Sequence, residues 1–136
     1  MNYDQISVGD TASFEKTISE SDVYLFAGIT GDHNPAHTNQ RYAEGTKFGT
    51  RIVHGMLTGS LFSTVFGTKL PGEGAIYLSQ SLSFTAPVVL GDTVKATVTV
   101  VEKMEKGRIR FECVATKADG TVVVTGEAIL LAARAA

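Results

Sequence analysis

One cysteine, no tryptophan, three prolines and three histidines are all that this chain of 136 residues holds of those types. With Cys113 alone, neither an internal disulfide nor a multi-cysteine metal site is possible. In "RIRFECVAT" Cys113 shares parity with Ile109 and Phe111, so the simplest expectation is a buried core thiol. Basic runs are also missing: 12 Lys and Arg stand against 14 Asp and Glu, scattered from Lys16 to Arg134. Nothing there is arranged to neutralise a nucleic-acid backbone, so no nucleic-acid partner is expected. No apolar run approaches the roughly 20 residues that span a bilayer, and "MNYDQISVGD" has neither the basic nor the apolar region of a secretion signal. The expectation is a soluble cytoplasmic protein with no membrane partner.

Repeats, low-complexity tracts and Pro/Gly-rich linkers are absent too, which leaves one domain over residues 1–136 as the natural division. A hydrophobic fraction of 43% against 19% charged residues is that of a chain that folds around a core. The two halves differ in character. The first opens with a strand pattern at "TASFEKTIS" (Thr11 to Ser19). Ser19-x-x-Asp22 then has the form of a helix start, predicting a helix from about Ser21 to Gly28. Pro35 disfavours helix at Asn34 and forces a turn at Asp32 to Pro35, and a short helix is expected from about Gln40 to Phe48. In "IVHGMLTGSLFSTVFGTKLPG" no charge appears before Lys69, and a helix with no charged face is a buried one.

From Ala75 onward the period becomes two. "YLSQSLSFTAP" sets Leu78, Leu82 and Phe84 against serines and Thr85. "TVKATVTVV" sets Val94, Ala96, Val98 and Val100 against Thr93, Lys95, Thr97 and Thr99. Each reads as one half-buried strand. Two further strands follow, joined at Asp119-Gly120, with Gly107 marking the turn before them. One buried helix and about five antiparallel strands is an α+β arrangement, in which a long twisted sheet curls around the helix to cover it: the hotdog fold. Such a sheet has open edges, and pairing one of them with a second copy makes a homodimer, or a higher oligomer built from dimers, the expected assembly.

The stretch "FAGITGDHNPAH" gathers Asp32, His33, Asn34 and His37 around Pro35. Asp32 and His37 can act as acid and base around one water. They also suit an Asx-type turn in which Asp32 or Asn34 caps the backbone and His37 only packs. A metal held by His33, His37 and His54 is disfavoured because Pro35 interrupts the helical geometry between the first two. A nucleophilic triad through Ser60 or Ser63 lacks the G-x-S-x-G elbow. His33 is expected to face solvent or to support the site from outside.

The string Phe26-x-x-Ile29-Thr30-Gly31-Asp32-x-Asn34-Pro35-x-His37, followed by Ala43, resembles the hydratase 2 motif of the R-specific enoyl-CoA hydratases in the MaoC-like hotdog family. The resemblance continues through "RIVHGMLTGSLFS", "YLSQSLSFTAPVVLGDTV" and "VTGEA", and is strongest to the short single-domain bacterial members. Ala36 departs from it, because the family usually carries a larger aliphatic residue there. The resemblance implies reversible addition of water to a trans-2-enoyl-CoA, with coenzyme A as part of the substrate and no separate cofactor or metal. It implies Asp32 and His37 as the catalytic pair, the Gly55 backbone amide as donor to the thioester oxygen, and Asn34 and Ser63 in support, Ser63 by a hydrogen bond to Asp32. Phe66 is expected to shorten the acyl pocket, which favours short chains. Two other functions remain open: a hotdog acyl-CoA thioesterase, which needs the carboxylate but not His37, and a non-catalytic acyl-CoA-binding module, which needs neither. Polyhydroxyalkanoate supply, β-oxidation and fermentative dehydration are all compatible settings.

Overall fold

A computed structural model describes residues 1–135. Its elements are β1 (Thr11–Thr17), α1 (Glu20–Thr30), α2 (Pro35–Thr38), α3 (Gln40–Glu44), α4 (Gly55–Thr68), β2 (Ile76–Gln80), β3 (Ser83–Phe84), β4 (Thr93–Lys103), β5 (Arg108–Lys117) and β6 (Val122–Leu131). The sheet is antiparallel throughout, in the order β1-β4-β5-β6-β2, and β3 pairs with β6 beyond the end of β2. The fold is the hotdog arrangement, with α4 laid against the concave sheet.

Packing follows the sequence pattern closely in α4, β4 and β5. From α4, Leu61, Phe62, Val65 and Phe66 are buried, and they meet the inward row Val94, Ala96, Val98 and Val100 of β4 and Ile109, Phe111, Cys113 and Ala115 of β5. Each large side chain so buried contributes roughly 1.5–3 kcal/mol. Burial pushes the Cys113 thiol up to about 11, so it is an inert core residue, as its parity suggests. No helix of the described residues is long and apolar enough to cross a membrane.

The start of α1 is fixed by reciprocal capping. The Asp22 amide donates to Ser19 Oγ at 3.1 Å and the Ser19 amide donates to the Asp22 carboxylate at 2.9 Å. That amide, helped by Lys16, holds the Asp22 carboxyl below its ordinary range; the cap is therefore charged at neutral pH and its contribution is lost as the pH falls and the carboxylate protonates. Gly31, at φ 81°, supplies the left-handed residue that ends α1. The β5–β6 hairpin turns at Asp119-Gly120, where Gly120 has φ 89° and Asp119 accepts from the Thr121 amide.

Several expectations are corrected. The turn after Asp32 contains a one-turn helix, α2, because Pro35 sits at its first position, where no amide donor is needed. Helix α3 stops at Glu44, not near Phe48, since Gly45 follows and caps it. The stretch from Tyr77 to Pro87 is two short strands and not one half-buried strand. The β2–β6 register slips between Tyr77 and Ser79, and Leu78 and Phe84 are exposed, while Leu82 packs against the core. Finally α4 is not covered all round: Met56, Ser60, Ser63 and Gly67 form an exposed stripe of uncharged residues. The unpaired side of β2 is likewise uncharged, with Ile76, Tyr77 and Leu78 exposed.

Candidate active site

Two backbone events bring Asp32 and His37 together. After Gly31 the chain turns sharply, and the Asp32 amide donates to Thr30 Oγ1 at 3.1 Å while the Asn34 amide donates to Asp32 Oδ1 at 3.2 Å. Asn34 then caps α2, accepting at Oδ1 from the Ala36 amide at 3.0 Å. The Asx-type turn is therefore present and is compatible with an acid–base role for Asp32 and His37. The turn forms and it aims the Asp32 carboxylate into the same pocket as the His37 ring.

That ring is held in one tautomer. Its Nδ1 lies 2.7 Å from the Ile52 carbonyl oxygen, which only accepts, so Nδ1 carries a proton and, in the neutral ring, the lone pair lies on Nε2. The Ala36 carbonyl in turn accepts from the Ile52 amide at 3.1 Å. Backbone of Ile52 thus backs His37 from both its carbonyl and its amide.

His54 completes the group. It is 2% exposed, stacks on His37 with centroids 3.9 Å apart, and its Nε2 donates to the Asp32 backbone carbonyl at 2.9 Å. Its position is set by Arg51 and Val53. Arg51 reaches Glu20 at 2.6 Å, the Tyr24 hydroxyl at 2.9 Å and Gln40 at 3.0 Å, tying α1 and α3 to this segment, and the Val53 amide donates to the Val88 carbonyl at 2.7 Å. The Glu20 carboxylate raises the Arg51 guanidinium further above its ordinary value, so the clamp stays charged. Sequence reasoning weighed His54 only as a metal ligand and passed over Arg51. Their one signal is position, immediately before Gly55 in "RIVHGM".

Asp32, His37, His54 and Gly55, with Phe26, Thr30 and Met56, line a pocket of about 200 Å³. A carboxylate oxygen of Asp32 and one ring nitrogen each of His37 and His54 lie within 4.8 Å of one another. This set does not suit a tetrahedral metal. The two rings stack with their planes 26° apart, so their in-plane lone pairs run side by side and do not converge on one point. His33 is exposed and outside the pocket.

Gly55 opens α4, with no side-chain cap on the helix, and its amide and that of Met56 make no hydrogen bond among the described residues. Two free amides at the positive end of a 14-residue helix face the pocket region. Gly55 and Met56 also border a second cavity of about 490 Å³, walled largely by Phe48, Phe84, Pro87, Val88 and Val124, with Lys47 its one cationic lining residue. A Cβ on Gly55 would stand 2.8 Å from two carbons of the Phe84 ring. Gly55→Ala is expected to cost about 1–3 kcal/mol of stability, and Phe84→Ala in the same chain to return part of it. Urea unfolding of the native protein and the two variants checks this; an unchanged midpoint for Gly55→Ala would mean the ring simply turns away.

Two expected site residues lie elsewhere. Ser63 is on the exposed stripe of α4 and makes no hydrogen bond to Asp32 among the described residues, because α4 carries it two turns past the pocket. Phe66 is 1% exposed and packs edge-on against Tyr77 and Phe111, so it fills the core and does not line the pocket of Asp32 and His37. Ser60 donates to the Leu57 carbonyl of its own helix, which leaves no nucleophilic triad.

Comparison with known proteins now adds its own observation: residues 5–124 match the model of the MaoC like domain. The chain belongs to the MaoC-like family. The (R)-specific enoyl-CoA hydratase of Rhodospirillum rubrum is 55% identical over 95% of this chain and 90% of its own length. The 3-hydroxybutyryl-CoA dehydratase of Methylorubrum extorquens is 48% identical over 94% of this chain and 82% of its own. Among solved structures, the unliganded R-hydratase of Pseudomonas aeruginosa superposes with a TM-score of 0.95 at 44% identity, covering 98% of this MaoC-like chain and 86% of that one.

Proposed function

We propose that the protein is an (R)-specific enoyl-CoA hydratase, adding water reversibly and on one face to a trans-2-enoyl-CoA to give the (R)-3-hydroxyacyl-CoA. It is an enzyme of the hydro-lyase class, as its curated relatives are. The observation that carries the finer reading is the shared pocket of Asp32 and His37 beside the free amide of Gly55.

Two hydrogen bonds of about 2.8 Å meeting at one water oxygen span about 4.6 Å, inside the 4.8 Å limit on the separation of an Asp32 carboxylate oxygen and a His37 ring nitrogen. A water held between the Asp32 carboxylate and His37 Nε2 loses a proton to one of them as its oxygen bonds to C3. The C2–C3 π electrons move toward the thioester oxygen, and the Gly55 amide, fixed at the helix start, donates to the charge developing there. A proton then passes from the pair to C2 on the same face, and the carbonyl re-forms. The remainder of the thioester substrate is assigned to the larger apolar cavity across Gly55. A second copy of the chain is the proposed cover for the unpaired β2 edge and the exposed stripe of α4, which gives a dimer.

Crotonyl-CoA is the first substrate to test, given the relative named for 3-hydroxybutyryl-CoA. Absorbance at the enoyl-thioester band, followed beside a thiol-release assay, is expected to show loss of the band with no free coenzyme A. Release of free coenzyme A instead means a thioesterase, and no change in either means a binding module.

A further inference from the structure

Two buried side-chain atoms have no hydrogen-bond partner among the described residues: His54 Nδ1 and Thr58 Oγ1. They stand four residues apart, the first at the N-cap of α4 and the second one turn inside it, both nearly sealed from solvent. Unpaired buried polar atoms are uncommon in a well-packed core, and each asks for a reason. A phenylalanine or leucine at position 54 would fill the same space between Phe26 and His37 without leaving an orphan nitrogen. What an apolar residue cannot do is hold both members of the acid–base pair from a single ring. His54 does so in two ways. Its Nε2–H donates to the Asp32 carbonyl oxygen, fixing the backbone from which that carboxylate projects, and its face lies on the His37 imidazole.

We propose that His54 is the positioning residue of the site: one imidazole that sets the height of the Asp32 loop by hydrogen bonding and the plane of the His37 ring by stacking. The Ile52 carbonyl accepts from His37 Nδ1 only while the stack holds the ring in plane with it, so the stack fixes both which nitrogen carries the proton and where the other points. His54 touches neither the water nor the substrate in this scheme; it acts through its two neighbours. Because those neighbours hold the water and not the thioester, its loss appears in kcat and leaves KM nearly unchanged.

The kinetic arm of the test rests on the hydratase reading; the spectroscopic arm does not. His54→Gln keeps an amide donor near the place of Nε2 without the ring, His54→Phe keeps the ring without the donor, and His54→Leu keeps neither. The expected result is a fall in kcat for crotonyl-CoA of about 10- to 100-fold for His54→Leu, as for other outer partners of a reacting group, with partial recovery in both Gln and Phe. In a His37→Gln background the same substitutions are expected to cost little more, since the group they position is gone. Nitrogen-15 spectra of the imidazoles should show His37 protonated at Nδ1 in the native protein and averaged between tautomers in His54→Leu. Should His54→Leu be too unstable to purify, the Gln and Phe variants carry the same comparison.

Native kcat in all three variants, or losses that simply add to that of His37→Gln, would overturn the proposal, as would a His37 spectrum indifferent to residue 54. If the native protein leaves crotonyl-CoA untouched, the hydratase reading fails instead, and the spectra alone decide whether His54 positions His37.

Discussion

Asp32→Asn will slow hydration of crotonyl-CoA by about 10²–10⁴-fold, and His37→Gln will do the same, the range that positioned acid–base groups supply. Neither change should unfold the protein. An asparagine Oδ1 still accepts the Asn34 amide at the turn, and Asp32 is exposed, so no buried charge is left unpaired. At position 37 glutamine loses the imidazole lone pair and the stack on His54, while the Ala36–Ile52 backbone bond remains. On the proposed mechanism the two groups act on one water, so the double variant should be little worse than either single one, as for residues that act as a unit. Initial rates for the four proteins, with thermal midpoints as a control, make the comparison. Losses under tenfold in Asp32→Asn would remove the carboxylate from the reaction, and losses that multiply would mean the pair does not act on a shared water.

The second large effect concerns stability and lies far from any chemistry. A methyl group at Gly126 would stand 1.9 Å from the Ser81 carbonyl oxygen and 2.9 Å from its carbon. Those are backbone atoms, so no side chain can swing aside. The Ser81 amide is bonded to the Glu127 carbonyl at 2.8 Å and the Glu127 amide to Ser81 Oγ at 3.0 Å, which pins the link between β2 and β3 directly over β6. Gly126 is also paired with Cys113 on β5, so it has no freedom to retreat toward the core. Gly126→Ala is expected to destabilise the fold by about 3 kcal/mol or more, the upper end of overpacking costs, read as a lower urea midpoint or as failure to purify folded protein. Gly67→Ala, exposed on α4 with open space around it and no left-handed φ, is the control for substitution at a glycine as such. A Gly126→Ala midpoint within error of the native one would mean that the Ser81 crossing is loose.

Gly126 marks the boundary between what the sequence carries and what it does not. Within "VTGEA" it is a glycine in a strand, and only the β2–β3 link that crosses it reveals why. The buried face of α4, the alternation of β4 and β5, the Ser19 cap and the Asp119-Gly120 turn were all legible, because each depends on residues a few positions apart and on periods of 3.6 or 2. Asp32, Asn34 and His37 were legible for the same reason, since one short turn contains them.

The sequence by itself therefore determined a buried helix, an antiparallel sheet to cover it and the placing of Asp32 and His37 on one short turn. The tertiary structure alone decided that His54 stands on that pair while His33 does not, that Arg51 clamps two helices to the segment behind it, and that Ser63 and Phe66 lie away from the pocket. It also decided that "YLSQSLSFTAP" divides into two strands at an exposed sheet edge. The physical reason is common to all of these. His54 bonds a residue 22 positions earlier in the chain and Arg51 one 31 positions earlier, and which side of α4 meets the sheet depends on what the strands bring to it. Contacts between distant segments leave no period in the sequence, so they exist only once the chain has closed upon itself.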